Sequence, residues 1–239
     1  MAVLLHREDP AIAVLRLDRP ERRNALDTET LVELLDRLET LSADEDLRAL
    51  VLSTTSTRAL CAGADVSEEL DAEGGVARME LFARLYAAWD AVPAPTLAVC
   101  VGDVLGAGAE LAAGADLRVA GDNLRLGWVG AELGVPVGPA RLVPLVGLAR
   151  ATELLLTGRR LDAEAARELD LVHRVVPAEA AEEAALGLAA ELADRPVAGL
   201  RQMKRLIRRS EGTAERVERE NQILVYWQRT SAGLPRGEA

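Results

Sequence analysis

The sequence predicts an α/β fold in which strands and helices alternate through the first half of the chain and helices dominate the second half. Apolar segments of strand length occur at residues 11–17, 47–53 and 96–101. Helical or small-residue segments follow them, separated by Pro and Gly. The 239 residues, 49% apolar and 28% charged, provide enough chain for one large α/β domain with an appendage.

The first strand and helix have clear boundaries. Residues 11–17 (AIAVLRL) are rich in β-formers and end before Pro20. Asp27 or Thr28 is suited to cap the helix that follows. Leucines recur in this helix at the spacing of one buried face: Leu31, Leu34, Leu35, Leu38 and Leu41.

Two similar units come next. After the strand at 47–53 come a polar loop and the small-residue stretch 59–65. A helix is predicted from 67 to 89, with a break near Gly74 and Gly75. The strand at 96–101 precedes a second small-residue stretch, 105–116. Repeated strand-helix alternation predicts parallel pairing with crossover helices, which places the ligand site at the carboxyl ends of strands.

The remaining chain is predicted to be mainly helical. Helices are expected at 145–157, 163–169, 178–194 and 197–227, with a strand-like segment at 171–176. This half is expected to form a helical cap or an oligomerisation element rather than a second catalytic domain.

Composition excludes several classes of protein. Acidic residues outnumber basic residues 39 to 28, and the net charge of −11 disfavours a nucleic-acid partner. Cys61 and Cys100 lack the spacing of a zinc or redox motif, so no metal site is expected. The amino-terminal residues lack the pattern of a signal peptide and no apolar run has membrane-spanning length, which predicts a cytoplasmic protein with no membrane partner.

The two small-residue loops are the strongest functional signal. Each is predicted to lie between a strand and a helix, where free N–H groups and the helix dipole favour an oxyanion. Small side chains would let a ligand carbonyl approach the backbone, so one amide from each loop could polarise a thioester carbonyl. Tight helix packing is the structural alternative. A dinucleotide-binding fingerprint starting at Gly106 fails because Leu111 stands where glycine is needed.

Several motifs together resemble one family. They are residues 19–26 (RPERRNAL), 59–66 (ALCAGADV), 102–111 (GDVLGAGAEL), 115–120 (ADLRVA), 133–138 (LGVPVG), 153–161 (ELLLTGRRL) and 171–177 (LVHRVVP). Their order and spacing resemble the crotonase superfamily of enoyl-CoA hydratases and isomerases over roughly residues 3 to 210.

This resemblance implies a crotonase-like ββα spiral core at 1–190 and a C-terminal helical trimerisation region at 191–239. It also implies an acyl-CoA substrate, no separate cofactor because coenzyme A is part of the substrate, and a homotrimer or hexamer. The backbone N–H groups of Ala64 and Ala107 become the oxyanion hole. The predicted substrate-binding residues are those of the matching motifs: Arg23, Ala25, Ala62, Gly63, Asp65, Val66 and Gly106. For Asp65, capping a helix is the physical role favoured over catalysis.

Glu110 matches the first of the two glutamates with which the family's hydratases position water. It lies three residues after Ala107 on the same helix face, and apolar neighbours would raise its pKa toward that of a general acid or base. A first-turn glutamate that only interacts with the helix dipole is the alternative.

The second hydratase glutamate is missing, because Gly130 stands at its position. Glu132 is a candidate substitute, since residues i and i+2 of an extended segment point to the same side. In a helical segment it would point elsewhere. We therefore predict an enoyl-CoA hydratase. The alternatives are an isomerase or other enolate chemistry that needs one carboxylate, and a non-catalytic protein that binds acyl-CoA.

Overall fold

The computed structural model describes residues 1–234, except for the side chain of Glu8. The described strands are β1 (Val3–Asp9), β2 (Ile12–Leu17), β3 (Ala49–Thr54), β4 (Ala59–Cys61), β5 (Thr96–Cys100), β6 (Asp103–Leu105), β7 (Leu117–Gly121), β8 (Arg125–Gly127) and β9 (Arg174–Val176). The described α-helices are α1 (Thr28–Ser42), α2 (Ala72–Ala91), α3 (Ala107–Gly114), α4 (Gly130–Leu133), α5 (Pro139–Val146), α6 (Leu148–Thr157), α7 (Ala163–Glu168), α8 (Ala181–Ala193), α9 (Val197–Ser210) and α10 (Thr213–Thr230).

Two sheets are built from repeated ββα units. The larger sheet has the order β1-β2-β3-β5-β7-β9 and the smaller has the order β4-β6-β8. Each of the pairs β3/β4, β5/β6 and β7/β8 gives one strand to each sheet and is followed by a helix. Only the β1–β2 pairing is antiparallel among the described strand pairs. The predicted α/β fold with a ββα core is confirmed.

The core lies on both faces of the larger sheet. The predicted leucine face of α1 is buried, and the Asp27 carboxylate caps the helix by accepting a hydrogen bond from the Thr30 amide at 2.9 Å. On the other face, alanines of α8 pack against the valine and leucine side chains of β3, β5 and β7. Strands covered on both faces explain why these segments are continuously apolar rather than alternating.

Several boundaries differ from the sequence predictions. Helix α2 is continuous and begins at Ala72, because Asp71 caps it through the Gly74 amide at 2.7 Å; Gly74 and Gly75 lie in its first turn. The helix predicted at 197–227 is two helices, because Gly212 adopts a left-handed conformation with φ of 59°. The short strands of the smaller sheet lie within or beside the segments interpreted as loops.

The C-terminal helices pack on the core of their own chain. α10 lies along α2 and also contacts α5. The predicted boundary at residue 190 falls inside α8, which packs on the larger sheet along its whole length. Residues 235–239 of the predicted C-terminal region lie outside the described residues. Within residues 1–234, no helix combines the length and apolar character needed to span a membrane.

Candidate active site

The first small-residue loop follows β4 and is held against residue 26. The Leu26 amide donates to the Gly63 carbonyl at 2.8 Å, and the Asp65 amide donates to the Leu26 carbonyl at 2.9 Å. Neighbouring amides of an extended segment point to opposite sides, so the Ala64 amide faces away from Leu26. It donates to no residue that the structure describes. The helix expected directly after this loop begins only at Ala72, so the helix dipole prediction is wrong for this loop.

The second loop follows β6 and leads directly into α3. Gly106 has φ of 52° and ψ of −114°, a conformation that favours glycine, and its amide donates to the Gly127 carbonyl at 2.9 Å. Ala107 is the first residue of α3, where an amide has no partner within the helix. Among residues 1–234, none accepts a hydrogen bond from the Ala107 amide.

The two loops converge on one cavity. A Cβ atom placed on Gly63 would lie 3.9 Å from the Ala107 nitrogen and 3.3 Å from the Leu105 oxygen, so the backbones are nearly in contact. The cavity beside them has a volume of about 200 Å³ and is lined by both Ala64 and Ala107. It lies past the carboxyl ends of β4, β6 and β8, as expected for a parallel sheet.

The other walls of the cavity are almost entirely apolar. They come from α2, from the segment between β8 and α5, and from the C-terminal region: Met79, Phe82, Tyr86, Val129, Gly130, Leu133, Val135, Val137, Leu224 and Leu234. Among the described lining residues, only Tyr86 has a side-chain O–H or N–H group. An acyl chain and a thioester would find apolar contacts here, with two backbone amides as donors.

Glu110 lies on α3 but behind the cavity wall. Its side chain is fully buried; the Trp128 indole N–H donates to Oε1 at 2.7 Å and Arg141 donates to Oε2 at 3.0 Å. The predicted orientation toward the substrate is therefore not the one observed, because a buried carboxylate needs donors and finds them in Trp128 and Arg141.

The pKa of Glu110 is raised to about 7, chiefly by burial, and the negative charge of Glu220 acts in the same direction. The Arg141 charge and the hydrogen bonds from Trp128 and Arg141 act in the opposite direction. The predicted direction of the shift agrees with this structure. A carboxyl group with a pKa near neutral pH can gain or lose a proton under ordinary conditions.

Glu132 does not substitute for the missing glutamate in this structure. It lies on α4, where its exposed carboxylate pairs with Arg160 at 3.3 Å, outside the cavity. The helical conformation is the reason, since i and i+2 then point in different directions. A Cβ atom on Gly130 would lie 2.6 Å from the Val135 oxygen, so a glutamate at 130 would also require a backbone shift.

The predicted substrate-binding residues divide into two groups. Four of them line the cavity: Ala62, Gly63, Val66 and Gly106. Arg23, Ala25 and Asp65 do not. The mostly exposed Arg23 pairs with Asp103 at 3.0 Å, while its carbonyl accepts from the Ala62 amide and so supports the first loop.

Asp65 does not cap a helix, so the role favoured for it from the sequence is wrong. It stabilises a turn by accepting from the amide and hydroxyl of Ser67 at 3.0 and 2.6 Å, and it pairs with Arg19 at 3.2 Å. Burial opposes ionisation, but these donors and the Arg19 charge outweigh it and lower the pKa of Asp65.

Comparison with known proteins identifies the family. The family model described as enoyl-CoA hydratase/isomerase matches residues 7–232. The chain belongs to the enoyl-CoA hydratase/isomerase family. It is an enzyme of this family with the crotonase fold, as the sequence motifs predicted.

Individual relatives agree with this assignment. The 2,3-dehydroadipyl-CoA hydratase of Escherichia coli strain K12 is 32% identical over 217 residues, which cover 90% of this chain and 85% of the relative. The mitochondrial enoyl-CoA hydratase domain-containing protein 2 of Mus musculus is 37% identical over 191 residues, which cover 76% of this chain and 64% of the relative. The crystal structure of an enoyl-CoA hydratase from Bacillus anthracis superposes with a TM-score of 0.84 at 27% identity and covers all of both chains.

Sequence reasoning missed three residues around this site. Tyr86 comes from α2 and Arg141 from α5, and Trp128 directly follows β8. No local motif marks them, because each reaches the site through tertiary packing. The sequence offered one indication of a role for them: an aromatic or arginine side chain on a segment that was predicted to be buried.

Proposed function

We propose that this enzyme is an enoyl-CoA hydratase that adds water across the α,β double bond of an acyl-CoA thioester. The observation that carries the proposal is the convergence on one apolar cavity of two amides, at Ala64 and Ala107, that have no acceptor among residues 1–234. These amides bind the thioester oxygen and stabilise the negative charge that develops on it when a nucleophile attacks the β-carbon.

Glu110 is the proposed proton acceptor for the attacking water. Its ionised carboxylate takes a proton from water as the β-carbon–oxygen bond forms. To reach that water, the Glu110 side chain gives up its hydrogen bond to Trp128 or to Arg141 and turns toward the cavity. Hydrogen bonds at an active site often rearrange in this way when substrate binds.

A second candidate is isomerisation or another enolate reaction that needs only one carboxylate. The observations that favour it are Gly130 at the second glutamate position and the exposed position of Glu132. Proton transfer next to a polarised carbonyl needs one acid or base, whereas hydration is easiest with two.

An experiment in deuterated water distinguishes hydration from the enolate reactions. We would incubate the protein with saturated and unsaturated acyl-CoA esters, following water addition and α-proton exchange beside a Glu110→Gln variant. Hydration that is lost in the variant supports the proposal. Exchange without hydration supports the enolate alternative, and tight binding with neither reaction indicates an acyl-CoA-binding protein without activity.

We further propose that the enzyme works in the cytoplasm as a homotrimer or hexamer, without a cofactor beyond the coenzyme A of its substrate. Exposed apolar side chains on α9, Met203, Leu206 and Ile207, support self-association. Light scattering after size-exclusion chromatography tests the assembly: a mass of three or six chains is expected, and a monomer would contradict it.

A further inference from the structure

Tyr86 supplies the cavity with its single described side-chain O–H group. It lies on α2, one turn after Phe82, and both side chains line the cavity that contains the Ala64 and Ala107 amides. The residue is 3% exposed, and its hydroxyl makes no hydrogen bond to any residue that the structure describes. A buried tyrosine hydroxyl usually has a partner, so this O–H group is free to bond a ligand or a bound water.

The ring of Tyr86 is held in a fixed position. The Arg141 guanidinium lies 4.8 Å from the ring centroid, and its Nη2 donates to the Tyr86 carbonyl at 3.2 Å. The Phe82 ring lies 5.9 Å away, centroid to centroid. A fixed ring fixes the position of the hydroxyl oxygen, and proton transfer depends on such positioning.

Arg141 joins Tyr86 to Glu110. The same guanidinium that covers the Tyr86 ring donates to the Glu110 carboxylate at 3.0 Å. Burial raises the pKa of Tyr86 well above its ordinary value of 10, and the charge of Glu110 raises it further. The phenol therefore holds its proton at neutral pH, as a group that donates one must.

We propose that Tyr86 is the second proton-transfer group of the hydration: its phenol gives the proton to the α-carbon that a second carboxylate would otherwise provide. This inference rests on the proposed hydratase activity. It accounts for how a chain with Gly130 at the second glutamate position can carry out a reaction that is easiest with two proton-transfer groups.

The step is balanced without another reactant. Water forms a bond to the β-carbon and loses a proton to Glu110, while the electrons of the double bond move to the α-carbon and form a bond to the Tyr86 proton. The phenolate then recovers a proton from Glu110. This transfer is favourable because the pKa of Tyr86 lies above the value of about 7 for Glu110. The net result is addition of H and OH.

The test compares Tyr86→Phe with Tyr226→Phe. The chain has two tyrosines, and Tyr226 is exposed on α10 outside the cavity, so the second variant makes the same chemical change away from the site. We would measure kcat and KM for hydration of a four-carbon enoyl-CoA, and the Kd of the saturated four-carbon acyl-CoA by calorimetry.

For Tyr86→Phe we expect kcat to fall about 100-fold or more, the usual contribution of general acid catalysis. The Kd and the melting temperature should be unchanged, because the ring and its contact with Arg141 remain. Tyr226→Phe should behave as the wild type. A Tyr86→Phe variant whose kcat stays close to that of an active wild type overturns this inference alone, whereas a wild type without hydration overturns the proposed function as well.

A second measurement leaves the side chain in place. In the Tyr226→Phe background Tyr86 is the only tyrosine, so biosynthetic replacement of tyrosine by 3-fluorotyrosine alters the acidity of this phenol alone. We expect kcat to change with that acidity while the Kd stays constant. An unchanged kcat would overturn the inference even if Tyr86→Phe failed to fold.

Discussion

Glu110 combines complete burial, two hydrogen-bond donors and a pKa near neutral pH. Its surroundings come from three helices and the residue after β8. Trp128 and Arg141 donate to it, while Asp90 pairs with the same arginine and Glu220 adds negative charge from α10. Burial is the dominant cause of the raised pKa. Because the proposed chemistry needs the ionised carboxylate, activity should depend on this value.

We predict that kcat/KM for hydration rises with pH through about 7, which is the pKa of Glu110 in the free enzyme. Glu110→Gln should abolish most activity and remove this pH dependence. A rate profile measured from pH 5 to 9 checks both; a wild-type profile that is flat across neutral pH would contradict the assignment of Glu110.

The same shift affects stability. The pKa of Glu110 is higher in the folded state than its ordinary value of 4.5, so the folded state binds more protons between pH 4.5 and about 7. The free energy of unfolding should therefore fall, relative to that of Glu110→Gln, as the pH rises through this interval. Urea titrations of both proteins at several pH values measure the free energy of unfolding of each. A wild type that becomes more stable relative to Glu110→Gln as the pH rises would contradict the prediction.

Helix α3 positions the Ala107 amide because it packs directly against β4. A Cβ atom on Gly108 would lie 2.2 Å from the Cys61 oxygen, so only glycine permits this approach. The sequence predicted that the small residues at 105–116 admit a ligand carbonyl, with tight helix packing as the alternative; at Gly108 the structure shows tight packing. Ala107 and Glu110 were predicted to share one helix, and they do. Sequence reasoning missed β4, β6 and β8, since strands of three residues carry too little periodicity.

Gly108→Ala should therefore displace α3, lowering the free energy of unfolding by about 1–3 kcal/mol and reducing kcat/KM. Gly187→Ala is the matched control, because Gly187 lies in α8 with no atom within 4 Å of the added Cβ. That substitution should stabilise the protein by about 0.5–1 kcal/mol. Chemical denaturation measures both, and equal effects of the two substitutions would contradict the packing argument.

A buried ion-pair network connects the active site to the rest of the molecule. Arg141 pairs with Glu110 and with Asp90, and Arg208 of α9 continues the network from Asp90 to Asp116. Lys204, also on α9, binds the same Asp116 at 2.7 Å. Two basic side chains of α9, Lys204 and Arg208, therefore bind the carboxylates of Asp90 and Asp116. Such pairing could not be predicted, because its partners are distant in sequence.

Arg141→Met should lower the free energy of unfolding by about 3–5 kcal/mol, because it leaves two buried carboxylates without their shared cation. Arg159→Met is the control: Arg159 pairs with Glu153 on the surface, where both side chains are more than half exposed, and little change is expected. Thermal and urea unfolding distinguish them. Comparable stability of the two variants would show that the network adds little to the fold.

The fold brings the backbone amides of Ala64 and Ala107 to one cavity. Substitutions at Ala107 test the role of these amides most directly. Proline is tolerated at the first position of a helix but has no N–H, whereas glycine keeps the amide. In hydration of a four-carbon enoyl-CoA, Ala107→Pro should lower kcat/KM roughly 100- to 1,000-fold. Ala107→Gly should remain close to the wild type. A folded Ala107→Pro variant with wild-type activity would contradict the role of this amide.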